Sequence, residues 1–381
     1  MIGFVDDCNG QTTHNAFEID KPTTEDPIQV LLERTTANAQ KWSDLLQTSG
    51  GSLELSKCSC QVIDWQFTAH GEPYLKPKQP EHQETLQVTD AITGTRQALE
   101  LLSPNQAHKT LGHYKLPAGT QKTQAQKLKQ KSDDITAFLW RCPLTRLEAW
   151  TYYFACYLPS VGYPIPCSSM TKPQLDRIQC KAMQIIIPRC GFNRHTKREI
   201  LFGPLELGGA SFRHLYTQQG IGQVELFMRN WRANSTAGKL LRIAVHWCQI
   251  QVGVSFSFLK DVHTLLPHLE SVWLTSLRGF LASVDSFLEL DDPGIPSLER
   301  LHDAFIMDVL MESCQFTNTE LRRLNYCRLY LHAYTLSDLV QANGSELDDS
   351  KLYGEPSVYS SGAIGPQIHQ AKPSKSDWTL W

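Results

Sequence analysis

Asp6-Asp7 closes the apolar run Gly3-Phe4-Val5, and Cys8-Asn9-Gly10 follows. Adjacent carboxylates repel each other unless a cation neutralises them, and hard oxygen ligands suit Mg²⁺. Such a pair can serve two-metal phosphoryl transfer, where ions about 3.5–4 Å apart bracket an in-line displacement. The plainer alternative is a solvated turn, because Asp is a common turn residue. The second chemical feature is cationic. Lys109, Lys115, Lys122, Lys127, Lys129 and Lys131 follow one another with no acid among them. A run of this kind neutralises nucleic-acid phosphates, or else it is the solvated face of a helix. Arg189, Arg194, Lys197 and Arg198 form a further basic group with His195.

These residues need elements to hold them. Met1–Val5 reads as a strand, too short to form a sheet alone, and so as the second arm of a hairpin whose first arm is missing. Ile28, Leu31, Leu32, Thr35, Ala39, Trp42, Leu45 and Leu46 recur at helical spacing. Asp26-Pro27 starts this helix and Ser49-Gly50-Gly51 stops it. Leu53 to Phe67 reads as strand, 70–84 as loop, and Leu86–Thr89 and Ala98–Leu102 as strands about a Thr93-Gly94 turn. From residue 120 the periodicity is helical. Helices are expected at 120–141, 144–158 (ending before Pro159), 172–187 (ending at Pro188), 211–232, 236–252, 258–266, 269–284, 297–314 and 318–326. Leu329 to Val340 fits a strand or a last helix. The expected fold class is α+β: a mixed unit (1–118), a helical unit (119–340) and a polar, flexible tail (341–381).

The order of these elements resembles the C-terminal half of a reverse transcriptase of the non-LTR retroelement kind. Phe4-Val5-Asp6-Asp7 is similar to the box of its palm hairpin. Ser49-Gly50-Gly51-Ser52-Leu53-Glu54 with Lys57-Cys58 is similar to the next palm motif, and Thr110-Leu111-Gly112 to the turn near the primer grip. Pro159–Pro166, Leu175–Gln179 and Phe202–Gly209 resemble elements of the thumb and connection, and Cys327–Asp338 is similar to C-terminal segments of retroelement reading frames. The resemblance covers about 1–340. It implies an RNA-directed DNA polymerase that adds dNTPs to an RNA/DNA primer–template with Mg²⁺ or Mn²⁺. Asp6 would be a metal ligand, and Asp7 a second metal or primer-end contact. Lys57 would lie near the incoming triphosphate and protonate the leaving pyrophosphate. Lys109 and Lys115, about Leu111-Gly112, would touch the primer backbone. The family's earlier palm Asp and its fingers stand before the box, so the isolated chain is expected to be inactive. The alternative is a non-catalytic nucleic-acid-binding or scaffold protein derived from a retroelement. A decayed reading frame is a third reading.

Composition bounds the remaining classes. The 381 residues carry 36 Lys and Arg against 39 Asp and Glu, a net charge of −3, so any basic surface is local. The eleven cysteines show no CxxC, and Cys58-Ser-Cys60 is the one close pair, which suggests thiols in a reducing, intracellular compartment. There is no signal-peptide pattern and no long apolar run for a membrane. Trp150, Tyr152, Tyr153, Phe154 and Tyr157 suit a core better than a base-stacking platform. Gly220-Ile-Gly222 lacks the third glycine of a dinucleotide fingerprint.

Overall fold

A computed structural model describes residues 2–3, 8–9, 27–67, 73–77, 86–90, 93–117, 119–298, 300–341, 343–352 and 372–381. The protein is mixed α/β and mainly helical, with short sheets. It divides into two compact units, Met1–Gln124 and Ala125–Trp381. No described helix is long and apolar enough to cross a membrane.

In the first unit, strand β1 (Ile2–Gly3) pairs antiparallel with β2 (Cys8–Asn9). The partner of the first strand therefore follows it, whereas the sequence suggested an arm before it. Helix α1 spans Pro27–Thr48. Gly50 ends it at φ +82°, the left-handed geometry that lets the Gly51 N–H reach the Leu46 carbonyl at 2.9 Å. Leu32 is fully buried and packs with Leu55, Leu86, Val88, Leu99 and Leu101. Gln40 clamps the helix to the strands by accepting from the Thr89 N–H (2.8 Å) and donating to the Thr89 carbonyl (3.2 Å).

The continuous strand expected from Leu53 to Phe67 is broken. It becomes a 3-10 turn at Leu55–Lys57, β3 (Ser59–Gln61) and β4 (Trp65–Phe67). Glu54 gathers the chain into that turn. Its carboxylate accepts from the Ser56 hydroxyl (2.5 Å) and its carbonyl from the Lys57 N–H (3.0 Å), while Leu55 turns into the core. The stretch read as loop carries β5 (Pro73–Leu75), paired antiparallel with β4. Strands β6 (Gln87–Thr89) and β7 (Arg96–Ala98) form the expected hairpin, with Gly94 at φ +67°. The strand expected at 98–102 is divided: β8 (Glu100–Leu102) leaves β7 and pairs in parallel with β3. Strands β9 (His108–Thr110) and β10 (His113–Lys115) close the series. Among the described residues strands pair only in twos, four pairs antiparallel and one parallel.

The second unit is helical. Helix α2 (Lys122–Arg141) leads into it, followed by α3 (Arg146–Tyr152). The helix expected to end before Pro159 runs on. Tyr153–Tyr157 forms a π turn in which the Leu158 N–H bonds the Tyr153 carbonyl, and α4 (Leu158–Gly162) carries Pro159 in its first turn. The wider turn moves backbone carbonyls away from the proline ring, which has no N–H to offer. Helix α5 (Lys172–Arg189) likewise takes Pro188 into its last turn. Then come α6 (Arg198–Phe202), α7 (Leu215–Arg232), α8 (Thr236–Val252) and α9 (Val272–Ser283). Tyr153 and Tyr157 are fully buried at the centre of the first helical core, as the sequence suggested. Gly220 and Gly222 are packing glycines: a Cβ at the first would strike the Phe280 ring, and at the second Pro166.

Several later readings are corrected. Residues 258–266 form no helix, because side chains take the carbonyls a helix would use. Arg278 donates to those of Phe258 (2.9 Å), Asp261 (3.0 Å) and Thr264, and in the turn just before them Gln249 donates to the carbonyls of Val254 and Phe256. The helix expected at 297–314 is reduced to α10 (Ile306–Glu312), because Phe305 forms a β-bridge with Thr335 that holds the chain extended just before it. Helix α11 (Asn318–Tyr330) is longer than expected, and Leu336–Leu339 forms a 3-10 turn. Two stretches of the polar tail are helical where it is described. Helices α12 (Asp349–Leu352) and α13 (Lys375–Leu380) dock, with Asp377 on Arg323, the Trp378 ring edge-on to Tyr330, and the buried Lys351 ammonium on the Leu331 carbonyl at 3.0 Å.

Candidate nucleic-acid interface

Asp6 and Asp7 lie outside the described residues, so no geometry is assigned to the carboxylate pair or to a cation on it. Their neighbours Ile2–Gly3 and Cys8–Asn9 are paired in register, Ile2 opposite Asn9 and Gly3 opposite Cys8. Among the described residues no three His, Cys, Asp or Glu side chains gather as a metal site.

Lys57 ends the 3-10 turn rather than sitting in a strand, and it is exposed. Two residues on, the Ser59 hydroxyl meets His108 Nδ1 at 3.3 Å. That bond joins the segment after Lys57 to the base of the β9–β10 hairpin. The hairpin turns through two residues only, Leu111 at φ +48° and Gly112 at φ +81°. Left-handed geometry at both positions matches the natural strand twist, and Gly112 adopts it freely, whereas Leu111 is strained there. Tyr114 stands opposite Lys109, and Lys115 opposite His108. Side chains directly opposite share a face, so Lys109 and Lys115 lie on opposite faces of the ribbon. The Tyr114 N–H donates to the Gln124 side chain at 2.7 Å, which ties the hairpin to the start of α2. Burial and the nearby Lys115 charge lower the pKa of His113.

The α2 lysines do not make one stripe. At 100° per residue, Lys122 and Lys129 fall on one edge of the buried face and Lys127 and Lys131 on the other. Between them Leu128, Ser132 and Leu139 point inward. Within the fold, Lys129 pairs with Asp133 at 2.9 Å, and Lys131 donates to the Ser160 carbonyl at 2.7 Å. Asp133 also meets Lys181 at 3.3 Å, and these lysines lower its carboxyl pKa.

The second basic group is wider than the sequence reading had it, and Lys172, Asp176 and His214 were passed over. From Lys172 to Gln223 eight Lys and Arg stand against three Asp and Glu, in a chain that is acidic overall. Part of it surrounds a cleft of about 670 Å³ walled by α5, α6, the start of α7 and the end of α9. On one wall Asp176 accepts from His214 Nε2 at 2.6 Å. His214 Nδ1 accepts the Tyr216 N–H at 3.2 Å and so caps α7, which places the ring proton on Nε2. The signal was the spacing of Lys172, Asp176 and Cys180, four residues apart on one helical face. Arg189, read as part of the second basic group, is structural: it donates to the carbonyls of Cys142 (2.6 Å) and Trp140 (3.1 Å).

No protein-family model, no curated protein and no solved structure matches the chain.

Proposed function

We propose that the chain is part of a reverse-transcriptase-type polymerase and that its described portion serves to hold a primer–template. The supporting observation is the β9–β10 hairpin: a two-residue Leu111-Gly112 turn flanked by Lys109 and Lys115, tied to the Lys57 segment through Ser59 and His108 and followed by the lysines of α2. Exposed cations on a narrow ribbon suit phosphate contacts, which position a duplex without reading its sequence. Asp6 and Asp7 are the carboxylates that would hold Mg²⁺, which supplies charge neutralisation for nucleotidyl transfer when bound.

The test is fluorescence anisotropy with a labelled primer–template duplex over a range of salt. Lys109→Glu, Lys115→Glu and Lys122→Glu together are expected to weaken binding and to flatten the log–log salt dependence by roughly one unit per lysine. Lys129→Glu and Lys131→Glu should cost less affinity, since those ammonium groups already have partners. Unchanged affinity in the triple variant would sink the proposal. Primer extension with Mg²⁺ or Mn²⁺ separates the two forms of the reading. Incorporation abolished by Asp6→Asn assigns catalysis to the pair, while duplex binding without incorporation assigns the chain to a non-catalytic binding role.

A further inference from the structure

We propose that the cleft between α5, α6, α7 and α9 binds a nucleoside phosphate. This goes beyond the polymerase reading, because none of the cleft residues lies on the β9–β10 hairpin or on α2. The volume of about 670 Å³ lies within the range of roughly 300–1,000 Å³ usual for small-molecule sites.

Three kinds of group line it. Flat walls come from Phe202, which lies edge-on to His214 with centroids 5.0 Å apart, and from Tyr216, edge-on to Phe280 at 5.9 Å. Gly220 permits the second wall, since any Cβ there would displace the Phe280 ring. Cations come from Lys172 and Arg198, both exposed, and neither side chain makes an ion pair or hydrogen bond with another described residue. The acceptor is Asp176. Its Oδ1 accepts the hydrogen bond from His214 Nε2–H, which leaves the other oxygen for a ligand hydroxyl or amine. His214 has both ring nitrogens engaged, so it positions Asp176 and does not itself meet the ligand through nitrogen. Glu199 adds a second acceptor on the α6 wall.

A flat ring system, hydrogen-bond donors and an anion are the three parts of a nucleoside phosphate. The base fits between the aromatic pairs, the phosphate meets Lys172 and Arg198, and a sugar hydroxyl or base amine donates to Asp176. An apolar ligand leaves both cations unmet, and a simple anion leaves the aromatic walls and Asp176 unused. The same chemistry is offered by a free nucleotide and by an unpaired nucleotide of a strand.

The experiment titrates the full chain with a fluorescent N-methylanthraniloyl nucleoside triphosphate and, separately, with a fluorescein-labelled single-stranded oligonucleotide. Lys172→Glu with Arg198→Glu is expected to weaken binding about tenfold or more, because two charge-assisted contacts are reversed. Both side chains are exposed, so the melting temperature should stay at the wild-type value. If it falls, Lys172→Ala with Arg198→Ala gives the same comparison. Mononucleotide binding weakened by the Lys172 and Arg198 reversal assigns the cleft to free nucleotides, and oligonucleotide binding weakened by that reversal, with no mononucleotide binding, assigns it to a strand. No binding of either probe, or binding within twofold of wild type in the charge-reversed chain, overturns the proposal. Lys109→Glu with Lys115→Glu should leave the mononucleotide titration unchanged, so the failure of one reading does not imply failure of the other.

Discussion

Arg328→Ala is expected to destabilise the protein by about 3–5 kcal/mol, read as a shift of the urea or thermal midpoint. Arg328 is fully buried on α11. Its guanidinium donates to Asn325 Oδ1 (3.0 and 2.8 Å), to the carbonyls of Ile250 (3.0 Å) and Gln251 (2.8 Å), and more weakly to that of Ala333 (3.4 Å). It also lies over the Tyr334 ring, 5.4 Å from the centroid. One side chain thus satisfies the open C-terminal carbonyls of α8 and fixes the turn after α11. Burial pulls its pKa down to about 10, with the Tyr334 and Asp338 charges acting the other way, so it stays charged at neutral pH. Truncation leaves several buried carbonyls without donors together with a cavity. Arg328→Lys should recover less than half of the loss, because a single ammonium cannot span the same fork of acceptors. A midpoint for Arg328→Ala within about 1 kcal/mol of wild type would mean that the guanidinium is not the clamp described. Gly253, at φ +63°, is part of the same arrangement, for a Cβ there would press on the guanidinium.

Acidification should destabilise the protein well above the carboxylate range, through His268. This ring is almost fully buried; its Nε2 donates to the Val252 carbonyl at 2.9 Å, and its Nδ1 has no partner. Burial pushes its pKa down from 6.5 to about 4. The Val252 carbonyl opposes that shift, and the charges of Arg328 and Arg322 reinforce it. The unfolded chain takes up this proton below about pH 6.5, whereas the folded chain resists until about pH 4. Stability from the neutral ring is therefore intact above pH 6.5 and is lost progressively as the pH falls to about 4. At pH 5 the loss is about 2 kcal/mol. In His268→Gln the amide can still donate to Val252, but nothing titrates there. Thermal melts between pH 7 and 5 should then fall less steeply for the variant than for wild type. Superimposable pH profiles would remove His268 as the cause.

Much of the helical framework could be read from the chain. Helix α8 begins and ends at the residues its periodicity and the glycine after it indicate, because Ser235 caps one end and Gly253 the other. Helix α1 follows the same logic between Pro27 and Gly50. Local rules suffice where a capping side chain or a left-handed glycine lies within one turn of the boundary. They failed where distant groups compete for the backbone. The apolar run at 258–266 looks helical until Arg278, 14 to 20 residues further on, takes the carbonyls of Phe258, Asp261 and Thr264. Proline at 159 looks like a stop until a π turn makes room for it.

The site divides the same way. Sequence by itself determined which residue types stand at which spacing: the adjacent Asp6 and Asp7, Lys57, the acid-free lysine run, and a Leu-Gly pair suited to a tight turn. Only the tertiary structure decided how those charges are used. It placed Lys109 and Lys115 on opposite faces of one ribbon, because the two-residue turn sets the pairing and the pleat then sets the faces. It bound Lys129 and Lys131 inside the fold, through an acid one helical turn away and a carbonyl on α4. It also brought Lys172, Asp176, Arg198 and His214 around a cleft walled by four helices. Side-chain type is written in the sequence. Which charges remain free for a partner depends on the groups that packing brings beside them, and these are often distant along the chain.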